Sequence, residues 1–120
     1  MKTEMIRVLK IEPGSAPETV TMPNTLEAFQ EAVGGYIEAL WLGCGVCFIC
    51  NEEGKLMGLP ANRQVGSDII AGTFLIVGEA DDDFCSLSDE DVSYYTERFA
   101  QPMLSYSSPD EPTQWEFHVL

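Results

Sequence analysis

The stretch "GTFLIVGE", residues 72–79, constrains the fold of this chain more than any other segment. It is a short apolar run bounded by glycines, which predicts a strand lying at the centre of a sheet. Further strands are predicted for "MIRVLKI", "TVTM", "YIEALWL" and "VCFIC", whose residues alternate or are rich in β-branched and aromatic side chains. After "VCFIC" we expect a turn with Gly54 at a positive φ, from which "KLMGL" returns as the second strand of a hairpin.

Two helices are predicted from residues that favour helix ends. The first spans about 24–34, with Asn24 as N-cap, Glu27 completing a capping box and a pair of glycines at the end. The second spans about 88–101, with Ser88 as its N-cap.

Strands and helices without regular alternation predict an α+β fold. At 120 residues, we expect one domain over 1–120, with a mainly antiparallel mixed sheet and two helices. The acidic tail, 102–120, is expected to be less ordered or to close the sheet as a strand through "WEFHVL". The N-terminal residues alternate polar and apolar side chains, unlike a signal peptide, so we expect a cytoplasmic protein.

The net charge of −14 is unevenly distributed. Residues 78–120 contain eleven acidic side chains and a single base, Arg98. Such a field repels nucleic-acid phosphates and anionic membranes, so we expect no direct nucleic-acid binding and no membrane partner. A solvated acidic surface or a partner with a basic surface remain as the alternatives.

Three cysteines, Cys44, Cys47 and Cys50, have the spacing of an iron–sulfur run, but no fourth cysteine follows at the required distance. If "VCFIC" is a strand, Cys47 and Cys50 point to opposite faces, which disfavours a shared metal. We therefore expect packing cysteines, no metal and no cofactor. The lone histidine, His118, leaves no convincing catalytic pair, so we expect no catalytic residues and favour a protein that is not an enzyme.

The loop "GLPANR" combines a stiff backbone with two polar side chains, Asn62 and Arg63. Asn offers donors and an acceptor, and Arg offers a planar fork that suits carboxylate or phosphate. Asn51 and Lys55 in the preceding turn are further ligand-binding candidates, with Arg7 as an additional cation. The alternative is structural: Arg63 pairs with an acid, and Asn62 holds its own loop.

The blocks "VLKIEPGSAPE", "NTLEAFQEAVGGYIE", "ICNEEGKLMGLPANR", "DIIAGTFLIVG" and "DFCSLSDEDVSYYTERF" resemble the domain-of-unknown-function 3846 family over residues 5–99. These are small proteins of bacteria, phages and conjugative elements. The resemblance implies a phage or mobile-element accessory protein that works in the bacterial host cytoplasm, and it implies no activity.

Two hypotheses follow. In the first, a non-enzymatic protein binds a small anionic or nucleotide-like ligand through Asn51, Lys55, Asn62 and Arg63, and so sequesters a host defence signal. In the second, acids of the segment 79–91 imitate nucleic acid and bind a basic host protein surface. The acids concerned are Asp81, Asp82, Asp83, Asp89, Glu90 and Asp91. A homo-oligomer is compatible with either hypothesis.

Overall fold

A computed structural model describes residues 3–42 and 44–103 of the protein. Within these residues the chain forms eight strands and two helices. In chain order they are β1 (Met5–Ile11), β2 (Glu18–Pro23), α1 (Leu26–Val33), β3 (Ile37–Trp41), β4 (Val46–Asn51), β5 (Ala61–Val65), β6 (Asp68–Ala71), β7 (Phe74–Ala80), β8 (Asp83–Cys85) and α2 (Asp89–Arg98). The predicted α+β class is confirmed.

The main sheet has the strand order β2-β1-β7-β4-β3, and β8 pairs with the end of β7. Every pairing among the described strands is antiparallel. The apolar strand β7 is central, as its composition predicts, and its residues 74–78 are buried. A separate two-stranded sheet, β5-β6, lies beside the main sheet.

The two faces of the main sheet carry different helices, because side chains alternate along each strand. On one face, Leu9 and Phe48 pack with Tyr95 and Phe99 from α2 and its C-terminus. On the opposite face, residues such as Val8, Cys47 and Ile49 pack with Phe29 of α1. Cys50 belongs to the first cluster and Cys47 to the second, so the predicted alternation of the two thiols is confirmed.

The first helix begins later than predicted. Its N-cap is Thr25, whose hydroxyl accepts a hydrogen bond from the Ala28 amide at 3.2 Å, and the helix starts at Leu26. The amide of Asn24, the predicted cap, instead donates to Glu4 Oε1 and to the Phe84 carbonyl, each at 3.0 Å. The Asn24 side chain, which a local capping rule assigns to the start of α1, thus bonds to residues that are distant in the sequence.

Both helices end close to the predicted positions. The first ends with Gly34 in the left-handed conformation, φ 83°, whose amide bonds back to Gln30. The second has Ser88 as its N-cap, as predicted, with the hydroxyl accepting from the Asp91 amide at 3.1 Å. It ends at Arg98, before the predicted residue 101, with Phe99 as C-cap.

The predicted hairpin after β4 is wrong. Residues 52–58 form successive turns, and β4 pairs with β3 and β7, so neither of its edges is open to "KLMGL". Gly54 is required for close packing rather than for a positive φ, since a Cβ there would lie 2.6 Å from the Ala71 carbonyl oxygen. The "GLPANR" loop runs into a strand, β5, which contains Asn62 and Arg63.

The expectations for the tail from residue 104 onward, including the strand "WEFHVL", lie outside the described residues. Neither helix found in the described ranges has the length and apolar character needed to cross a bilayer.

Candidate functional site

Asn62 and Arg63 lie side by side in the interior, where β5 departs from regular pairing with β6. Their side chains are essentially inaccessible, at 0% and 2% relative exposure. Consecutive strand residues normally point to opposite faces, and the irregularity between Ala61 and Arg63 locally changes that pattern. The two polar groups therefore face the protein rather than solvent.

All five N–H donors of the Arg63 guanidinium are engaged within the protein. Nε and Nη2 donate to the Phe99 carbonyl at 3.1 and 3.0 Å, and Nη2 also donates to the Ser15 carbonyl. Nη1 donates to the carbonyl and the side-chain oxygen of Asn62, at 3.1 and 2.8 Å. A ligand at Arg63 would have to displace these bonds.

The position of Arg63 explains how a buried cation is tolerated without a carboxylate. Phe99 is the C-cap of α2, so its carbonyl belongs to the negative end of the helix dipole. Burial lowers the pKa of Arg63, but an arginine remains protonated even when its pKa falls moderately. The guanidinium thus donates hydrogen bonds to the carbonyl at the C-terminus of α2 and links that end of the helix to β5.

Asn62 links β5 to two other segments of the chain. Its Nδ2 donates to the carbonyls of Ile11 and Gly72, both at 2.8 Å, while its Oδ1 accepts from Arg63. These contacts connect the end of β1, the entry to β7 and β5. Every polar group of the side chain is engaged, in agreement with the structural alternative for this residue, although the bonds reach well beyond its own loop.

Asn51 and Lys55 are brought together at a cavity of about 180 Å³ beside β4 and β6. Asn62 and Arg63 are not among its lining residues, so the structure divides the four ligand-binding candidates into two pairs. Among the described lining residues Lys55 is the one base, and four acids share the lining with it: Glu38, Glu52, Glu53 and Asp68. Lys55 Nζ forms an ion pair with Asp68.

The electrostatics of this cavity disfavour an anion. Cys50 lines the cavity, and its ionisation responds to the charges there because the thiolate form is itself negative. The pKa of Cys50 is raised to about 12, chiefly by burial and in addition by the charges of Glu38 and Asp68, while Lys55 lowers it by less. A small anion entering the same space meets the same carboxylates.

Asn51 also has structural partners. Its Nδ2 donates to the Val33 carbonyl at 3.1 Å, at the end of α1, and its Oδ1 accepts from the Glu53 amide at 2.8 Å. A Cβ on Gly35 would lie 3.0 Å from that Nδ2, so the glycine permits the contact. Asn51 therefore holds α1 against the turns that follow β4.

The acids of the second hypothesis lie on a tight hairpin and a helix start. Asp81 and Asp82 connect β7 to β8 with φ values of 54° and 64°. Two positive φ values in a two-residue loop are typical of a type I′ turn, in which Asp and Asn are favoured. Asp83 follows, and its carboxylate accepts from the Phe84 amide at 2.8 Å. All three aspartates are exposed.

Two acids that were not among the six named above, Glu4 and Glu79, add to the negative charge around Cys85. Burial raises the pKa of Cys85, and the charges of Glu4, Glu79, Asp83 and Asp81 raise it further. Glu79 follows the apolar part of β7, a position that signals solvent contact, whereas Glu4 is distant in sequence and is brought here by the pairing of β1. The hairpin end of the sheet is thus strongly negative.

The remaining acids, Asp89, Glu90 and Asp91, occupy the first turn of α2, where the helix dipole favours negative charge. Arg7 is tied to the same place: its Nη1 lies 2.8 Å from Asp89 and its Nη2 donates to the Leu87 carbonyl at 2.6 Å. Arg7, the additional cation of the ligand-binding hypothesis, is therefore paired with Asp89, one of the acids of the second hypothesis.

The cysteines are separate free thiols in the described ranges. No group of three or more His, Cys, Asp or Glu side chains there is arranged to hold a metal ion. Burial raises the pKa of Cys47 to about 11, which is unfavourable for a thiolate ligand.

Comparison with known proteins places the chain in a family without assigning it an activity. No curated protein and no solved structure matches it. A protein-family model, described as a domain of unknown function, matches residues 6–100 of the 120-residue chain. That range contains both helices, the strands β2 to β8, all of β1 except Met5, and both groups of candidate residues. The protein therefore belongs to the DUF3846 family.

Proposed function

We propose that this protein is a non-enzymatic accessory protein that binds a basic surface of another protein through its acidic segment, residues 79–91. One observation carries the proposal: across the described part of the chain, each basic side chain has an intramolecular contact, whereas most acids of the segment are exposed. The surface therefore offers much uncompensated negative charge and little positive charge.

The basic side chains are occupied in different ways. Arg7, Lys10 and Lys55 form ion pairs with Asp89, Glu12 and Asp68, respectively. Arg63 is buried against carbonyl oxygens, and the Arg98 guanidinium lies 5.0 Å from the centre of the Phe99 ring. Within the described ranges, Asp89 is the one acid of the segment that forms an ion pair.

The backbone under the acids is well suited to a protein partner. The β7–β8 hairpin and the first turn of α2 hold the carboxylates on regular structure, which reduces the entropy lost on binding. Clustered charge of one sign accelerates association with an oppositely charged surface and weakens it as salt is added. A host enzyme that binds nucleic acid presents such a basic surface, and the family resemblance supports a phage or mobile-element protein acting in the bacterial cytoplasm.

The test compares two triple variants of equal charge change. Asp81→Asn/Asp82→Asn/Asp83→Asn neutralises the hairpin and keeps residues that tolerate positive φ. Glu18→Gln/Glu27→Gln/Glu31→Gln neutralises three exposed acids on β2 and α1 as the matched control. A tagged wild-type chain captures partners from bacterial lysate, and the captured protein is then purified and titrated against each variant.

We expect a basic partner that duplex DNA displaces, with affinity at least about tenfold weaker for the hairpin variant, equivalent to roughly 1.4 kcal/mol. The control variant is expected to lose much less affinity. Binding should also weaken as salt is raised from about 50 to about 300 mM, because the added ions screen the charges. Equal losses in the two variants, or a partner without a basic surface, would contradict the proposal.

A small anionic or nucleotide-like ligand is the second candidate: Asn51 and Lys55 line one cavity, and a ligand there would have to compete with Asp68 for Lys55 among the acids of the lining. Native mass spectrometry of protein purified gently from host cells tests it. A stoichiometric adduct that is lost in Lys55→Ala, but retained in Lys10→Ala, would favour this candidate over the first. Protein that carries no adduct would count against it.

A further inference from the structure

The outer edge of β3 has a set of backbone groups that point away from the sheet. Leu42 N donates to the Val46 carbonyl at 3.3 Å, and Glu52 N donates to the Tyr36 carbonyl at 2.8 Å. Hydrogen-bonded pairs alternate along an antiparallel ladder, so the even-numbered residues of β3 bond to β4. The N–H and C=O groups of Ile37, Ala39 and Trp41 therefore point outward, where no described strand pairs with them.

The opposite edge of the sheet is built differently. Asn24 N donates to the Glu4 carbonyl, so the same alternation directs the backbone of Thr19, Thr21 and Pro23 outward on β2. Proline has no N–H to donate, and a proline at an edge is one of the features that prevent strand addition. Within the described ranges, β3 has no proline and one charged residue, Glu38.

Large apolar side chains accompany the open edge. Tyr36, Trp41 and Leu42 are 69%, 55% and 40% exposed, although they lie within or next to a strand of the main sheet. Trp41 stacks on Phe84 at 5.5 Å between ring centres and leaves its remaining surface to solvent. Aromatic and aliphatic groups at both ends of an open strand are typical of protein interfaces.

We propose that two copies of this chain associate through β3, in antiparallel orientation about a two-fold axis at Ala39. Ala39 then lies opposite Ala39 of the second copy, and Ile37 lies opposite Trp41. Because these are the outward-facing residues, all of their N–H and C=O groups find partners across the interface. The two five-strand paths become one continuous sheet, and the interface is self-complementary, as a two-fold axis requires.

The side chains support this register. Tyr36 comes opposite Leu42 of the second copy, so the exposed apolar groups at the strand ends cover one another. Glu38 comes opposite Leu40 and not opposite its own counterpart. A shift that paired residue 38 with itself would oppose two like charges directly, which destabilises a cross-strand pair.

The register also places the second copy beside the acidic cavity. Glu38 and Leu40 line that cavity from β3, and the neighbouring strand contributes another Leu40 next to Glu38. The two Glu38 carboxylates are diagonal neighbours, and each chain carries a net charge of −14. Added salt screens this repulsion, so we expect dimerisation to strengthen as salt rises, opposite to the expected behaviour of a basic partner.

Ala39→Pro tests the proposal without breaking β3 from β4, since the N–H that it removes points outward. Thr21→Pro makes the same change on the outward side of β2 and is the matched control. By sedimentation velocity, we expect wild type and Thr21→Pro to be dimeric, and Ala39→Pro to dissociate with a constant at least about tenfold higher. A monomeric wild type across the salt range, or an equally dimeric Ala39→Pro, would overturn the proposal.

Cross-linking provides a readout that does not depend on a folding defect. Residues of a hydrogen-bonded antiparallel pair have Cα atoms about 5.5 Å apart, which suits a disulfide. In a Cys44→Ser background, which removes the exposed native thiol, we expect Ala39→Cys to form a covalent dimer on mild oxidation and Thr21→Cys to form no disulfide between copies. Equal cross-linking at both positions would contradict the assigned edge.

Discussion

The Arg63–Asn62 pair and the acidic segment 79–91 show two opposite uses of polar side chains. The pair is buried, and its donors bond to oxygens from four separate segments of the chain. The acids of the segment are mostly exposed, and their contacts are local or electrostatic. The pair holds elements together, while the segment leaves its charge to solvent.

This contrast shows that the most suggestive residue types in a sequence need not lie at the surface. An Asn-Arg pair in a stiff loop is well suited to binding an anion, but the same donors also satisfy buried carbonyl groups. A buried carbonyl without a partner is costly, so a fold with irregular segments needs such donors. The structural roles of the acidic segment are local: Asp81 and Asp82 form the β7–β8 turn, Asp83 accepts from the Phe84 amide, and the later acids lie in the first turn of α2.

Removing the Arg63 guanidinium is expected to have the largest effect on stability. Arg63→Ala leaves the carbonyls of Phe99 and Ser15 without their donors, and we expect a loss of about 3 kcal/mol in the free energy of unfolding. Urea denaturation followed by circular dichroism measures it. Arg98→Ala, an exposed neighbour on the same helix end, is the control and should cost less than about 1 kcal/mol. Equal effects would mean that the buried bonds contribute little.

Asn62→Asp separates donor function from charge, and its expected effect is intermediate. The substitution keeps the shape and places a carboxylate beside Arg63, but it removes the N–H groups that bond Ile11 and Gly72. We expect a loss of about 2 kcal/mol, because two buried carbonyls lose their donor. Urea denaturation again measures it, with the exposed Gln101→Glu as control. A stabilised variant would show that an ion pair with Arg63 outweighs the lost bonds.

Neutralising the hairpin is expected to have the smallest effect on folding. Asp81→Asn/Asp82→Asn/Asp83→Asn should change the free energy of unfolding by less than about 0.5 kcal/mol, since exposed charges contribute little. The variant should instead change the pKa of Cys85. Asp81 and Asp83 raise the pKa of Cys85, so their loss should lower that pKa while burial keeps it above its usual value.

The rate of alkylation of Cys85 by iodoacetamide, measured against pH in a Cys44→Ser background, reports this shift. At a fixed pH below the pKa, a lower pKa increases the thiolate fraction, and the reaction accelerates. The Glu18→Gln/Glu27→Gln/Glu31→Gln variant should leave the profile unchanged. An unchanged profile in the hairpin variant would mean that its acids do not act on Cys85.

Local sequence patterns were sufficient for much of the fold. The apolar composition of β7 predicts a central strand, and alternation in β4 predicts opposite faces for Cys47 and Cys50; the structure confirms both. Ser88 is confirmed as the N-cap of α2. These features depend on a residue and its near neighbours, and their physical causes act within a few positions of the chain.

Other features required the assembled fold. The partners of Arg63 come from residues up to 48 positions away, and Asn24 bonds to Phe84 across 60 positions. Likewise, residues 52–58 leave the sheet because β4 already has a neighbour on each side. No local pattern contains these distant partners. The sequence therefore determined which segments fold into strands and helices, whereas the three-dimensional packing determined which polar groups are enclosed and which remain available to a partner.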